Sequence, residues 1–404
     1  MSNVRPFIGL RPPKALAAQV AAPPYDVVNT QEARAIAGDN ASSFFRVSRP
    51  EIELADSVDA HSAPVYALGK KNLEQFISRG TLEPDAQPAY YVYRQKMGAH
   101  VQAGIVACAS TDEYERGLIK KHELTRQDKE DDRVAHIDAL SAHDEPVFLC
   151  YGQNAELVAL QDAVMQGPPE YDFTSSDGIQ HTFWVTPKAR TEQIQAAFAR
   201  VDALYVADGH HRSAAAARIA KSRGGPADAE HKFFLAVIFP ASQLQILDYN
   251  RLVKDLGGLS DDAFLKRVSE KFEVKSGGGK PTSLHSFGMF FGETWHTLTA
   301  KPGTVDEKSP IGSLDVSILQ ANLLGPILGI KDPRTDERIA FSGGIRGMGE
   351  LEKKVKSREF ALAFAMFPTS LDELMAIADA GAIMPPKSTW FEPKLRSGLV
   401  VHRF

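Results

Sequence analysis

Residues 203–217 read ALYVADGHHRSAAAA, so a short apolar run closes on Asp208-Gly209-His210-His211-Arg212 where an alanine-rich helix is set to begin. The first N–H groups of a helix have no partner within it, and the aligned peptide dipoles leave partial positive charge there. A phosphate over Gly209–Arg212 is therefore met by main-chain donors and the Arg212 guanidinium together. The same positive end disfavours a charged imidazole, which keeps His210 and His211 neutral and able to accept a proton or bind a phosphate hydrogen. Phosphoryl chemistry is the first expectation. Asp208 also suits a plain N-cap, but a cap does not explain the two histidines that follow.

A second cluster, KKHELTRQDKEDDR over residues 120–133, places His122 and Glu123 at the end of a strand, where mixed sheets assemble their sites. Glu123 can act as general base toward a substrate hydroxyl, His122 stands beside it, and Lys129 with Arg133, four apart, share a helix face able to grip phosphate. The acidic run Glu130–Asp132 reads equally well as a solvated face laced with ion pairs. A third cluster, MPPKSTWFEPKLRSGL, sets Lys387, Ser388, Thr389, Lys394, Arg396 and Ser397 in a segment whose prolines stiffen the backbone, which suits an anionic ligand and equally a structural strap. Near the start, Ala22-Pro23-Pro24-Tyr25 forms a rigid turn that presents Tyr25 and Asp26.

His122, Glu123, Asp208, His210 and His211 include metal donors, but no adjacent pairing has a recognised zinc spacing, and no residue is assigned as a metal ligand. Mg²⁺ brought by the phosphates of ATP or ADP is the economical expectation. SGGGKPTS is not a phosphate loop of the GxxxxGK type, since Lys280 precedes a proline and the glycine spacing is wrong. The glycine-rich FSGGIRGMGEL reads as a turn before a helix.

These residues need elements to hold them. The sequence predicts helices over Thr30–Ala37 with Thr30 as cap, Val65–Leu82, Ala155–Met165 and Leu314–Leu324, and one opened by a Thr125/Asp128 capping pair. Strands are expected at AYYVYRQKM, HVQAGIVACAS, RGLIKKHE, PVFLCYG, HTFWVTP, ALYVAD, FGMFFGE and TWHTLTA, with two more in KFFLAVIFPASQLQILDYNRLVKDL. The mixture predicts an α+β fold in three regions: an extended and helical segment at 1–88 packing on the core, a central domain at 89–256 carrying both histidine motifs, and a C-terminal α+β region at 257–404.

With 404 residues, 43% hydrophobic and 24% charged, and a net charge of −5, the composition is that of a globular protein with a sizeable core and no generic nucleic-acid surface. The two cysteines, Cys108 and Cys150, sit in apolar runs and are expected as reduced core residues. No run approaches the roughly 20 apolar residues of a membrane span, and no signal-peptide pattern is visible. A cytoplasmic protein acting on a small molecule is expected, with neither membrane nor nucleic-acid partner.

PPYDVV, SSFFRVSRPE, KKHELTRQDKEDDR, ADGHHR and MPPKSTWFEPKLRSGL together resemble, in order and along nearly the whole chain, a large prokaryotic family of unknown-function proteins often encoded beside serine-biosynthesis genes. Asp-Gly-His-His-Arg also resembles the phosphate-binding helix start of the ParB/sulfiredoxin superfamily, which implies a ParB/sulfiredoxin-like core. Sulfiredoxins carry Gly-Cys-His-Arg there. His210 stands at the reactive cysteine's position, which puts sulfinic-acid reduction in doubt and leaves a nucleotide-phosphate cradle. That superfamily includes a nucleotide-dependent free-serine kinase. The resemblance therefore implies a phosphotransferase interconverting L-serine and O-phosphoserine, with Glu123 as base and His210 on the phosphoryl group. A phosphoserine phosphatase and a non-catalytic nucleotide or phosphoserine sensor are the alternatives.

Overall fold

The computed structural model describes residues 2–404. Its first strands are β1 (Val4–Arg5), β2 (Gly9–Arg11), β3 (Glu83–Pro84), β4 (Tyr91–Met97), β5 (His100–Ser110), β6 (Ile119–Lys120), β7 (Ala142–His143), β8 (Val147–Tyr151), β9 (Tyr171–Thr174), β10 (Gln180–Val185), β11 (Leu204–Asp208) and β12 (Phe233–Pro240). Among them lie helices α1 (Ala17–Val20), α2 (Thr30–Ala37), α3 (Phe45–Ser48), α4 (Ala63–Ser78), α5 (Thr111–Glu115), α6 (Gln127–Leu140), α7 (Ala155–Met165), α8 (Lys188–Phe198) and α9 (His210–Arg223).

Nine of these strands form one sheet in the order β6-β11-β8-β12-β5-β4-β10-β9, with β1 paired to β5. Two neighbouring pairs, β6/β11 and β8/β12, run parallel and the rest antiparallel, which makes the fold α+β. The central strands β5, β8 and β12 are buried along nearly their whole length, as the continuous apolar runs AGIVACAS, VFLCY and FFLAVIFP require. Ile105, Leu149, Val206 and Phe234 of the sheet pack with Phe198 of α8 and the small residues Ala216 and Ala217 of α9. Alanines on that face let α9 lie close to the sheet. Cys108 and Cys150 are both buried and unpaired.

The chain divides into two compact units, residues 1–244 with 393–404 and residues 245–392. This differs from the expected breaks at 88/89 and 256/257. The N-terminal segment is part of the first unit because β1 joins β5, and β2 and β7 both pair with the strand Val401–Arg403. The second unit has its own antiparallel sheet of six strands, built from Tyr249–Val253, Phe272–Ser276, Ser286–Phe291, Thr294–Ala300, Ile339–Gly343 and Leu362–Ala365.

Local expectations shift at several ends. Thr30–Ala37 is the expected helix, but Asn29 caps it, in a capping box with Glu32. Thr125 and Asp128 do not cap α6. Arg126 occupies the cap position without a side-chain cap, Thr125 Oγ1 donates to Glu130 Oε2, and Asp128 pairs with Arg126. The strand expected at RGLIKKHE shortens to β6, because Arg116 is the C-cap of α5 and Gly117 turns with φ +76° before it. Leu314–Leu324 splits into an α-helix at Asp315–Leu319 and a π-helix at Gln320–Leu324. The segment after α9 contains three strands rather than two.

Candidate functional site

β6 and β11 run parallel, with Ile119 beside Leu204 and Lys120 beside Tyr205. Residues that follow the two strands therefore leave the sheet at the same edge, and His122–Glu123 meets Gly209–His210 there. On its other side β11 pairs with β8, where Val206 opposes Leu149 and Asp208 opposes Phe148, so Ala207 is an extra residue. Such a bulge re-aims the side chain that follows it, here Asp208. Gly209 then turns with φ +97°, and a Cβ at that position would lie 3.0 Å from Arg212 Nε. Only glycine satisfies both the backbone and the space, and α9 starts at the next residue.

The His122 and His210 rings meet edge to face with centroids 4.5 Å apart. His210 Nδ1 lies 3.8 Å from Glu123 Oε2. One ligand atom from each of His122, Glu123 and His210 can be chosen so that all three fall within 4.8 Å of one another. Both imidazoles are buried, while the Glu123 side chain is 42% exposed. Burial pushes the His122 pKa down to about 4, only partly opposed by the Asp208 charge. Burial, then the neighbouring His122, holds His210 well below the ordinary imidazole range. Neither nitrogen of His122 nor Nε2 of His210 has a partner in good hydrogen-bond geometry, although the Val206 backbone acts on His122. The pair is neutral near pH 7, next to a carboxylate that reaches solvent.

On the far side of Gly209 the charges are paired. Asp208 Oδ1 accepts from the Gly209 N–H at 2.8 Å and Oδ2 from Lys394 Nζ at 2.9 Å. Burial would raise the Asp208 pKa, but the Lys394 and Arg212 charges outweigh it and hold this carboxylate below the usual range. The buried Arg212 guanidinium donates to the Pro146 carbonyl and lies 4.0 Å from Glu145 Oε2. Glu145 Oε1 accepts from Tyr25 N at 3.0 Å and Ser397 Oγ at 2.9 Å. Burial raises Glu145 to about 7, against the pull of Arg212. The charge of Asp26 acts on both Arg212 and His211, so the rigid Pro-Pro turn does bring its two residues to this network.

Other candidates serve different contacts. His211 Nε2 accepts from the Arg126 N–H at 3.1 Å, tying the start of α9 to the start of α6. Arg133 is buried on the face of α6 that also carries His136, Ile137 and Leu140. It donates to Asp132 and stacks over the Tyr25 ring at 4.0 Å. Lys129, one turn earlier, is partly exposed. Of the acidic run, Glu130 and Asp131 both bind Arg218 of α9, and Asp132 is held near 2 against its burial, chiefly by Arg133. Arg396 binds Asp177 and Ser175 at the turn between β9 and β10. Lys387, Ser388 and Thr389 belong to the second unit, where Arg251 donates to the Lys387 carbonyl and Ser388 Oγ to that of Pro385.

Sequence reasoning passed over Glu145 and Arg126. Glu145 had a signal, since the acidic pair Asp144-Glu145 stands immediately before the apolar run of β8, where an unpaired carboxylate is costly. Arg126 had none, because it contributes its backbone.

A mixed α+β domain with this strand-end cluster defines the class, and the family follows. The chain belongs to a family described as a protein of unknown function (DUF1015), whose model matches residues 4–317. No curated protein matches the sequence. Among solved structures, a mutant of free serine kinase in complex with AMP is 13% identical, over 73% of this chain and 92% of that one, with a TM-score of 0.37. SbnI with a C-terminal truncation, from Staphylococcus aureus, is 11% identical over 72% and 85%, with a TM-score of 0.40. A conserved hypothetical protein from Pyrococcus furiosus is 13% identical over 73% and 95%, with a TM-score of 0.34. Among the described residues no helix is long and apolar enough to cross a membrane.

Proposed function

We propose that the ends of β6 and β11 form a phosphoryl-transfer site that interconverts L-serine and O-phosphoserine with a nucleotide as donor or acceptor. One observation carries the reading: His122, Glu123 and His210 converge at the start of α9. Glu123, the member that reaches solvent, takes the proton from the serine hydroxyl as its oxygen attacks phosphorus. The bond between that phosphorus and the nucleotide oxygen breaks, and the nucleotide leaves with the electron pair. The N–H groups heading α9, with Arg212 and Lys394, carry the charge on the phosphoryl oxygens, and the neutral His210 contacts them without adding a charge of its own.

The serine and nucleotide come from the sequence resemblance, as do the ParB/sulfiredoxin-like character of the core, Mg²⁺ and the choice of ATP or ADP. Two imidazoles and one carboxylate are a nitrogen-rich set for Mg²⁺, so Mg²⁺ fits this site only as an ion carried by the nucleotide's phosphates.

Phosphorus NMR of the purified protein with O-phosphoserine and Mg²⁺, with and without AMP or ADP, tests the reading. Phosphoryl appearing only on added nucleotide supports it. Inorganic phosphate released without nucleotide replaces it with a phosphatase, and unchanged spectra in both tubes replace it with a sensor.

A further inference from the structure

Buried imidazoles are normally anchored through at least one ring nitrogen, because an unpaired polar atom removed from water costs free energy. His122 is 1% exposed with neither nitrogen in a well-formed hydrogen bond, though the Val206 backbone acts on the ring, and His210 is 4% exposed with Nε2 unpaired. The two rings meet edge to face, and a carboxylate stands at the same point, 3.8 Å from His210 Nδ1.

From this geometry we infer that His122, Glu123 and His210 bind a divalent transition-metal ion of the zinc, cobalt or manganese type, through two imidazole nitrogens and one carboxylate oxygen. The inference takes its location from the proposed phosphoryl-transfer site and rests on that reading for its role, though not for the binding itself. Three ligand atoms each about 2.1 Å from one ion at tetrahedral angles stand about 3.4 Å apart. The three donors lie within 4.8 Å of one another, so the side chains close by about an ångström to take up the ion. Neutral imidazole is the form that ligates, and two nitrogens with one oxygen favour a borderline ion over Mg²⁺. Three protein ligands leave open positions for a substrate oxygen, the pattern of a catalytic rather than a structural ion.

β6 and β11 hold the ligands rigidly, because His122 follows one strand by two residues and His210 follows the other by two. The site faces solvent through Glu123, which gives the ion a way in. One Glu123 oxygen serves the ion and the other remains to accept the substrate proton.

The test uses untagged full-length protein stripped with a chelator and titrated with Co²⁺, followed by visible absorption and calorimetry. One equivalent should bind with visible bands, at least about tenfold more tightly than Mg²⁺. Glu123→Gln should weaken Co²⁺ binding about tenfold or more without changing the melting temperature, and His210→Ala should abolish it. The inference is overturned if no saturable equivalent binds, or if Glu123→Gln binds Co²⁺ as the parent does, a result that does not depend on the buried variants folding. The phosphorus assay separates the two proposals. Transfer by protein that fails to bind Co²⁺ removes the ion and leaves the kinase, whereas Co²⁺ bound at these residues with no phosphoryl movement removes the kinase and leaves the ion.

Discussion

Lys394 Nζ lies 2.9 Å from Asp208 Oδ2 across 186 residues of sequence. The same carboxylate oxygen pair also fixes the N–H of Gly209, so a residue from near the end of the chain sets the charge of the turn that opens α9.

Lys394→Met should leave Asp208 partly buried with only the Gly209 N–H and the more distant Arg212 to balance it. We expect a loss of about 1–3 kcal/mol in urea denaturation. Adding Asp208→Asn should recover part of that loss, and strictly additive effects in the double-mutant cycle would refute the coupling.

Glu123→Gln should lower the rate of phosphoryl transfer about 10²- to 10⁴-fold while the protein melts as the parent does, since this side chain is 42% exposed. Near-parental turnover in a coupled AMP or ADP assay would remove Glu123 from the proton transfer.

The folded protein keeps His122 neutral down to about pH 4, whereas in the unfolded chain it takes up a proton near 6.5. Between those values the unfolded state binds more protons, so stability is fully present above pH 6.5 and is lost as pH falls toward 4. His210 acts in the same direction. Glu145, raised by burial to about 7, acts oppositely, since the fold holds its proton where the unfolded chain has released it, from about pH 4.5 to 7. Glu145→Gln should therefore steepen the rise of unfolding free energy between pH 5 and 6.5, and His122→Gln should flatten it. Identical pH profiles for the parent and both variants would contradict these assignments.

Gly209→Ala forces a Cβ to within 3.0 Å of Arg212 Nε at a φ of +97°. A cost of about 1–3 kcal/mol is expected in thermal unfolding, together with weaker phosphate binding by calorimetry as Arg212 is displaced. A variant as stable as the parent would show that the turn can relax.

The central motif is legible in the sequence because its signals are local. Leu204–Asp208 is a short apolar run, Gly209 breaks it, and alanines carry the helix on. Thr30–Ala37 and Ala155–Met165 are equally readable from spacing, although Asn29 rather than Thr30 caps the first. What spacing cannot reveal is pairing at long range. Lys387 and Lys394 look equivalent in one proline-rich segment, yet Lys387 belongs to the second unit and Lys394 reaches Asp208. Arg133 looks like a surface cation until Asp132 and Tyr25 close around it. Glu145 is hidden for the same reason, since its partners Tyr25 and Ser397 lie 120 and 252 residues away.

The division of the first unit, with residues 245–392 inserted before its closing segment, has a consequence during synthesis. When the ribosome has made β11 and α9, Asp208 still lacks its lysine, and the whole of the second unit must be translated before Lys394 exists. All nine strands of the large sheet precede residue 241, so a chain halted within the second unit has every strand of that sheet while Asp208 is held by the Gly209 N–H and Arg212 alone.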